Sequence, residues 1–206
     1  SPESILSGVN RTLLPHQTLW YRRTFVLPDG FRPADGRVLL HFGAVDQEAM
    51  ILLNGKEMGS HTGGYNAFTI DLTDGWQPGE NLLIVKVKDE TDGGSRSRGK
   101  QKTQRGGIWY TPQSGIWQSV WMEAVPQSYV RKLRITPDFD RAVVEISAET
   151  VGSEPAFAHF DGESYALPAS IPVMDMHPWS PDDPYLYDFA VTCGNKSHTR
   201  NDKPSC

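Results

Sequence analysis

The sequence predicts an all-β chain of two domains. Three observations carry this. No segment sustains a helical period of apolar residues; short runs alternate apolar and polar side chains instead; and the 19 glycines and 15 prolines are spread along the chain, between those runs. The alternation restarts after Pro126, which places the domain boundary there: residues 1–125 and residues 126–206.

In the first domain, Trp20 to Leu27 alternates with Tyr21, Arg23 and Phe25 on one side, and Pro28-Asp29-Gly30 then turns the chain. Arg37 to Phe42 puts Val38, Leu40 and Phe42 on one face. Ala49 to Leu53 is an apolar run ending in Asn54-Gly55, a strong hairpin signal because both turn positions need positive φ; Lys56 to His61 is the return strand. Thr62 to Asn66 is a loop. Phe68, Ile70 and Leu72 form a short inward-facing strand. Leu83, Val85 and Val87 face the core, while Lys86 and Lys88 face water.

The domain closes on the stretch Gly106 to Ala124, which holds Trp109, Trp117 and Trp121. Ile116, Val120, Met122 and Ala124 share one face, interrupted by Gln118. Trp117, Ser119, Trp121 and Glu123 share the other. Large apolar groups on both faces predict a central strand covered on both sides, with Trp117 and Trp121 buried. Trp109 and Tyr110 follow a Gly pair and precede Thr111-Pro112, so they are expected at a loop rim, where rings stack on ligands.

In the second domain, Tyr129 to Ile135 and Ala142 to Ala148 read as strands, the latter with Val144, Ile146 and Ala148 on one face. Asp161-Gly162 marks a turn. Met174 to Tyr187 is proline-dense around Trp179, and Tyr185 to Val191 is expected to be the last strand. Asn195 to Cys206 contains no aliphatic or aromatic residue and is expected to be disordered.

Asp89 to Gly107 contains no apolar side chain but carries Arg96, Arg98, Lys100, Lys102 and Arg105. Loops this long inside a compact domain are functional or disordered. The sequence admits a basic loop that contacts a ligand or a neighbouring domain, a solvated loop, or an RNA-binding segment; the last lacks any repeat. The lack of an apolar anchor predicts mobility, with protease cuts at these basic residues.

The formal charge of −5 argues against nucleic acid or an anionic membrane as the main partner. No apolar run approaches the roughly 20 residues needed to span a bilayer. The start, SPESILSGVN, shows no signal peptide and no initiator Met; this favours the cytoplasm slightly and suggests a processed or excised chain. Cys193 and Cys206 make neither a disulfide framework nor a metal site, and one bridge between them would staple only the tail. Asn10-Arg11-Thr12 and Asn195-Lys196-Ser197 match the glycosylation sequon, a pattern short enough to arise by chance.

Five blocks, in order, resemble the front of glycoside hydrolase family 2, which includes β-galactosidases, β-glucuronidases and β-mannosidases. They are Trp20-Tyr21-Arg22-Arg23-Thr24-Phe25; Asn54-Gly55-Lys56 with Gly59-Ser60-His61 and Gly63-Gly64-Tyr65; Gly79-Glu80-Asn81; Ser114-Gly115-Ile116-Trp117-Gln118; and Trp179 to Tyr187. Each is weak alone, and their order makes them strong. The resemblance implies a jelly-roll sugar-binding domain, then an immunoglobulin-like sandwich, here smaller and incomplete. It also implies a following catalytic barrel, which would be a partner of this chain along with a β-glycoside substrate. Family members often assemble, so homo-oligomers are implied for complete enzymes. The family's two catalytic glutamates sit on the barrel, so no residue here inherits either role. The chain is therefore expected to be inactive alone, with no cofactor and no metal.

A pair of glycosidase carboxyls stands about 5–5.5 Å apart in retaining enzymes and about 6.5–9.5 Å apart in inverting ones. Asp46 with Glu48, and Asp182 with Asp183, are the nearest pairs in sequence, and both read more simply as solvated surface charge. The six histidines are scattered, and His41 on its strand reads as a satisfied histidine rather than a ligand. Three functions stay open: an accessory region of a family 2 β-glycosidase, a free-standing carbohydrate-binding module, or a structural domain without ligand. The module would need an exposed aromatic platform, for which Trp76, Trp109 and Tyr110 are the candidates. The expected sugar contacts, which frame the basic loop, are Arg98, Lys100, Gln101, Trp109 and Tyr110.

Overall fold

A computed structural model describes residues 1–194. The expected disordered tail, Cys206 and the second sequon lie outside the described residues. The chain divides into two compact units, Ser1–Val125 and Pro126–Cys206. Every strand pairing between named strands is antiparallel, and the described residues hold no α-helix, only a short 3-10 turn at Ile5–Ser7.

Unit 1 contains strands β1 (Leu19–Val26), β2 (Arg37–Phe42), β3 (Val45–Asp46), β4 (Glu48–Leu53), β5 (Lys56–Thr62), β6 (Phe68–Asp71), β7 (Glu80–Lys88), β8 (Gly115–Ile116) and β9 (Val120–Val125). One sheet runs β1-β7-β4-β5, a second runs β6-β2-β9, and β3 pairs with β8. Alternation decides what goes inside. Leu53, Ile51 and Ala49 lie opposite Leu83, Val85 and Val87 in register. All six are buried, together with Val38, Leu40, Phe42 and Ile70 of the second sheet, in one core. Cross-strand pairing of branched aliphatic side chains on one face is what stabilises such a layer. The Asn54-Gly55 turn has φ of 52° and 83°, the left-handed pair this hairpin needs.

The stretch around Trp117 corrects an expectation. β9 is not central: it pairs only with β2 and forms the edge of its sheet. Of the expected inner face, Ile116 and Met122 pack on the core, whereas Val120 is 40% exposed and Val125 is buried. Among the described residues no second layer covers Trp121 on β9 or Trp117 in the link from β8, and they are 43% and 46% exposed. Neighbouring side chains cover the rings in part. Trp121 stacks on His41 with centroids 4.9 Å apart, and the Trp117 indole N–H donates to the Gly64 carbonyl at 2.7 Å. Two-sided apolar character therefore reflects lateral side-chain contacts here, not burial between layers. His41 is satisfied, with Nδ1 2.9 Å from Thr69 Oγ1 and Nε2 2.9 Å from Glu123 Oε1.

Unit 2 contains β10 (Tyr129–Asp138), β11 (Val143–Val151), β12 (Ala156–Phe160), β13 (Glu163–Ala166), β14 (Ala169–Pro172) and β15 (Ala190–Cys193). Two three-stranded sheets, β10-β11-β14 and β13-β12-β15, enclose Ile146, Ala158, Ile171 and Val191. Asp161-Gly162 turns β12 into β13 with φ of 49° and 80°. The last strand starts later than expected: Tyr185 to Phe189 are irregular, and β15 begins at Ala190. Pro184 and the aromatic packing of His177, Tyr185 and Tyr187 on one another hold that segment outside a ladder.

Candidate functional site

The long loop after β7 has no apolar anchor, as its sequence says, and polar groups tie it down instead. Asp89 is buried and accepts from the Thr91 backbone N–H at 2.7 Å and from the Ser114 hydroxyl at 2.7 Å. Gln101 is also buried. Its amide nitrogen donates to Asp46 at 3.4 Å, and its carbonyl oxygen accepts from the Gln113 N–H at 2.6 Å. Glu3, far away in sequence, accepts from the backbone N–H groups of Leu13 and Ser114, each at 3.2 Å. Tyr21 on β1 reaches the same place and accepts from the Ile116 N–H at 3.1 Å. Buried polar groups persist only where they find partners, and these close on one another.

The cluster gathers three carboxyl groups, Glu3, Asp46 and Asp89, in a desolvated place. Burial first, then the charge of Asp89 and a smaller push from Glu3, with the Gln101 hydrogen bond opposing them, together bring the Asp46 carboxyl up to about 6. Burial likewise raises the Tyr21 phenol. Asp46 is thus no solvated surface charge, contrary to expectation: it is 6% exposed. Glu48, its neighbour in sequence, forms an ion pair with Arg96. The other pair, Asp182 and Asp183, is exposed, and Asp183 lies 2.6 Å from His177 Nε2. Among the described residues no group of three or more His, Cys, Asp or Glu side chains could hold a metal ion.

Above the cluster a cleft of about 560 Å³ opens between the 62–66 loop and residues 95–97, with Gln47 also lining it. Gly64 presses on Asp46: a Cβ there would stand 2.4 Å from Asp46 Oδ1, so only glycine fits. Tyr65 is half exposed and meets Trp117 edge to face at 6.1 Å.

The five expected sugar contacts fall on one loop. The Tyr110 N–H donates to the Lys100 carbonyl at 2.7 Å, and the Lys102 N–H donates to the Tyr110 carbonyl at 3.1 Å, so residues 100–102 run beside residue 110. Arg98 and Lys100 are exposed, and Tyr110 is 72% exposed. Gln101 points inward as an anchor. Trp109 is half-buried, and the Lys102 ammonium sits 4.3 Å from its ring centre, so one face is taken. Trp76 is not an open platform: it packs against the core with Arg32 over its ring at 5.4 Å. Sequence reasoning missed the cleft at 62–66, although the Gly63-Gly64-Tyr65 signal for a close backbone approach beside an aromatic ring was there.

Residues 8–126 match the family described as "Glycosyl hydrolases family 2, sugar binding domain". The chain is 27% identical over 190 residues to a beta-galactosidase of Arthrobacter sp. (strain B7), covering 86% of this chain and 18% of that protein. It is 31% identical over 97 residues to a putative beta-glucuronidase of Formosa agariphila, covering 47% of this chain and 11% of that one. Among solved structures, the beta-glucuronidase of Faecalibacterium prausnitzii superposes with a TM-score of 0.67 at 29% identity, covering 86% of this chain and 35% of that one. A Ruminococcus gnavus beta-glucuronidase in complex with uronic deoxynojirimycin reaches 0.71 at 24% identity, covering 87% and 34%, which shows a shared fold. The chain therefore spans between about a tenth and about a third of the lengths of these relatives.

Proposed function

Because this chain belongs to glycosyl hydrolases family 2 through its sugar binding domain, we propose that it is a non-catalytic region of a β-glycosidase. In this reading it supports the catalytic barrel and lends the 96–110 loop to one wall of the sugar pocket. Unit 1 is read as a jelly roll and unit 2 as an immunoglobulin-like sandwich, a reading supported by the facing antiparallel sheets of each. The observation that carries the proposal is the match over residues 8–126 in a chain that spans only 18% and 25% of two beta-galactosidases.

The chemistry agrees. Glycoside cleavage needs one carboxyl aimed at the leaving oxygen and another at the anomeric carbon or its water. Here the buried carboxyls of Glu3 and Asp89 are occupied by backbone and hydroxyl donors, and Glu48 is held by Arg96. The side chains offered to a ligand by the loop are Arg98, Lys100 and Tyr110, which bind but do not cut. Association with the catalytic barrel of a family 2 β-glycosidase, added in trans, tests the proposal. Gel filtration should show a complex, and the barrel's hydrolysis of nitrophenyl glycosides should rise. Arg98→Ala with Lys100→Ala should raise KM more than it lowers kcat. Absence of any complex and of any effect on hydrolysis would refute it.

The half-exposed Tyr65 and the exposed Tyr110 favour a second reading, a carbohydrate-binding module that works alone. That reading requires saccharide binding by the chain without a barrel.

A further inference from the structure

The cleft over Asp46 contains polar groups that the fold leaves unused. Gln47 is only 3% exposed and lines the cleft. Its backbone is bonded, the N–H to Lys88 and the carbonyl to Gly63, yet its side-chain amide makes no hydrogen bond among the described residues. Nε2 of His61 is buried and also without a partner. It stands just behind the Gly63 wall, 3.8 Å from where a Cβ on that glycine would lie, with Asn66 Nδ2 3.9 Å from the same point. An unmade hydrogen bond at a buried group costs about 1–3 kcal/mol, which His61 bears at this wall, and the Gln47 amide, uncommitted within the fold, lines the cleft where a ligand can meet it.

The rest of the lining narrows the partner. Tyr65 offers a half-exposed ring, and Asn66, Ser95 and Ser97 offer amide and hydroxyl groups that both donate and accept. Arg96 lines the cleft, but its guanidinium is held by Glu48. A ligand here meets neutral two-way hydrogen-bonding groups and one aromatic ring. That is the complement of a pyranose, whose hydroxyls donate and accept and whose C–H face packs on a ring. The volume, about 560 Å³, falls within the roughly 300–1,000 Å³ of small-molecule sites.

We propose that the cleft between residues 62–66 and 95–97 is a subsite for a neutral pyranose, held by Gln47, Asn66 and Tyr65. This rests on unit 1 acting as a sugar-binding domain. It adds a saccharide subsite distinct from the Arg98–Tyr110 loop, and that subsite excludes a uronate, whose carboxylate would find no uncommitted cation in the lining.

The test is an amide-resolved NMR titration of the 206-residue chain with methyl β-galactoside and, separately, methyl β-glucuronide. The neutral sugar should shift the side-chain amides of Gln47 and Asn66 and the backbone of 63–66 and 95–97. Tyr65→Ala and, as an independent surface variant, Asn66→Ala should each weaken binding about fivefold or more, the scale of one aromatic or hydrogen-bonding contact. The glucuronide should bind at least about fivefold more weakly. Shifts confined to the 98–110 loop would overturn this site while leaving unit 1 a sugar binder. Equal binding of the glucuronide in the cleft would overturn the neutral assignment. No shift with either saccharide would overturn the subsite and its premise together.

Discussion

The Gln101 amide donates to the Asp46 carboxylate at 3.4 Å across 55 positions of sequence, and both groups are buried. This contact joins β3 to the middle of the loop that carries the expected sugar contacts. Asp46 also faces the charges of Asp89 and Glu3, so ionising it in the fold costs more than ionising a solvated carboxyl.

Stability should depend on pH through Asp46. Its folded value, about 6, lies above the ordinary 3.8, so the fold disfavours the ionised form. The contribution of Asp46 to stability is greatest below pH ~4, falls as pH rises through ~6, and levels off above that, while the lowered carboxyl of Asp71 contributes with the opposite sign at acid pH. Asp46→Asn keeps an acceptor for Gln101 and removes the charge. At pH 8 it should be more stable than the parent by at most about 3 kcal/mol, at roughly 1.4 kcal/mol per unit. Urea titrations of both proteins at pH 4, 6 and 8 check this; a variant that is less stable at pH 8 contradicts it.

Ser114 should hold the loop closed. Ser114→Ala removes the hydroxyl that donates to buried Asp89, and an orphaned buried acceptor costs about 1–3 kcal/mol. Trypsin should then cut at Arg96, Arg98, Lys100, Lys102 or Arg105 faster than in the parent chain. Unchanged cleavage at these sites would show that the buried contact does not restrain the loop.

Trp117 should matter through its N–H more than through its area. Trp117→Phe keeps a ring beside Tyr65 but loses the bond to the Gly64 carbonyl. A loss of about 1 kcal/mol is expected, whereas Trp121→Phe, which keeps an aromatic ring against His41, should cost less. Equal unfolding midpoints for the parent and Trp117→Phe proteins would count against this.

Gly115 should tolerate no side chain. It has φ of +83°, and a Cβ would lie 2.1 Å from the Tyr21 hydroxyl. Gly115→Ala combines left-handed strain with that overlap and should destabilise by at least about 2 kcal/mol. Gly55→Ala, with the same sign of φ but open space around it, should cost about 1 kcal/mol. Thermal melts of the two variants separate the terms.

Local chemistry was legible in the sequence, and non-local chemistry was not. Asn54-Gly55 and Asp161-Gly162 announce their turns because positive φ selects those residue types. The Leu83, Val85, Val87 face is legible because the period of two is fixed by the pleat. Trp117 and Trp121 misled because alternation states which face a residue takes, while the number of layers on that face is decided by sheet order. The Asp46 cluster was invisible because Glu3 and Ser114 meet across 111 positions, and Asp89 and Ser114 across 25. Polar side chains in a loop give no periodic sign of burial. The resemblance in five ordered blocks carried the family, but not which loop residues turn outward. Arg98, Lys100 and Tyr110 do, and Gln101 does not.

The central claim is that this chain binds sugar for an enzyme without cutting it. A hydrolysis assay tests it most directly, with the purified chain and nitrophenyl β-galactoside, β-glucuronide and β-mannoside from pH 4 to 8. The account predicts no nitrophenol release above the uncatalysed background at any pH. Release that follows an acid limb near pH 6 and disappears in Asp46→Asn or Glu48→Gln would contradict it and place the chemistry in this chain.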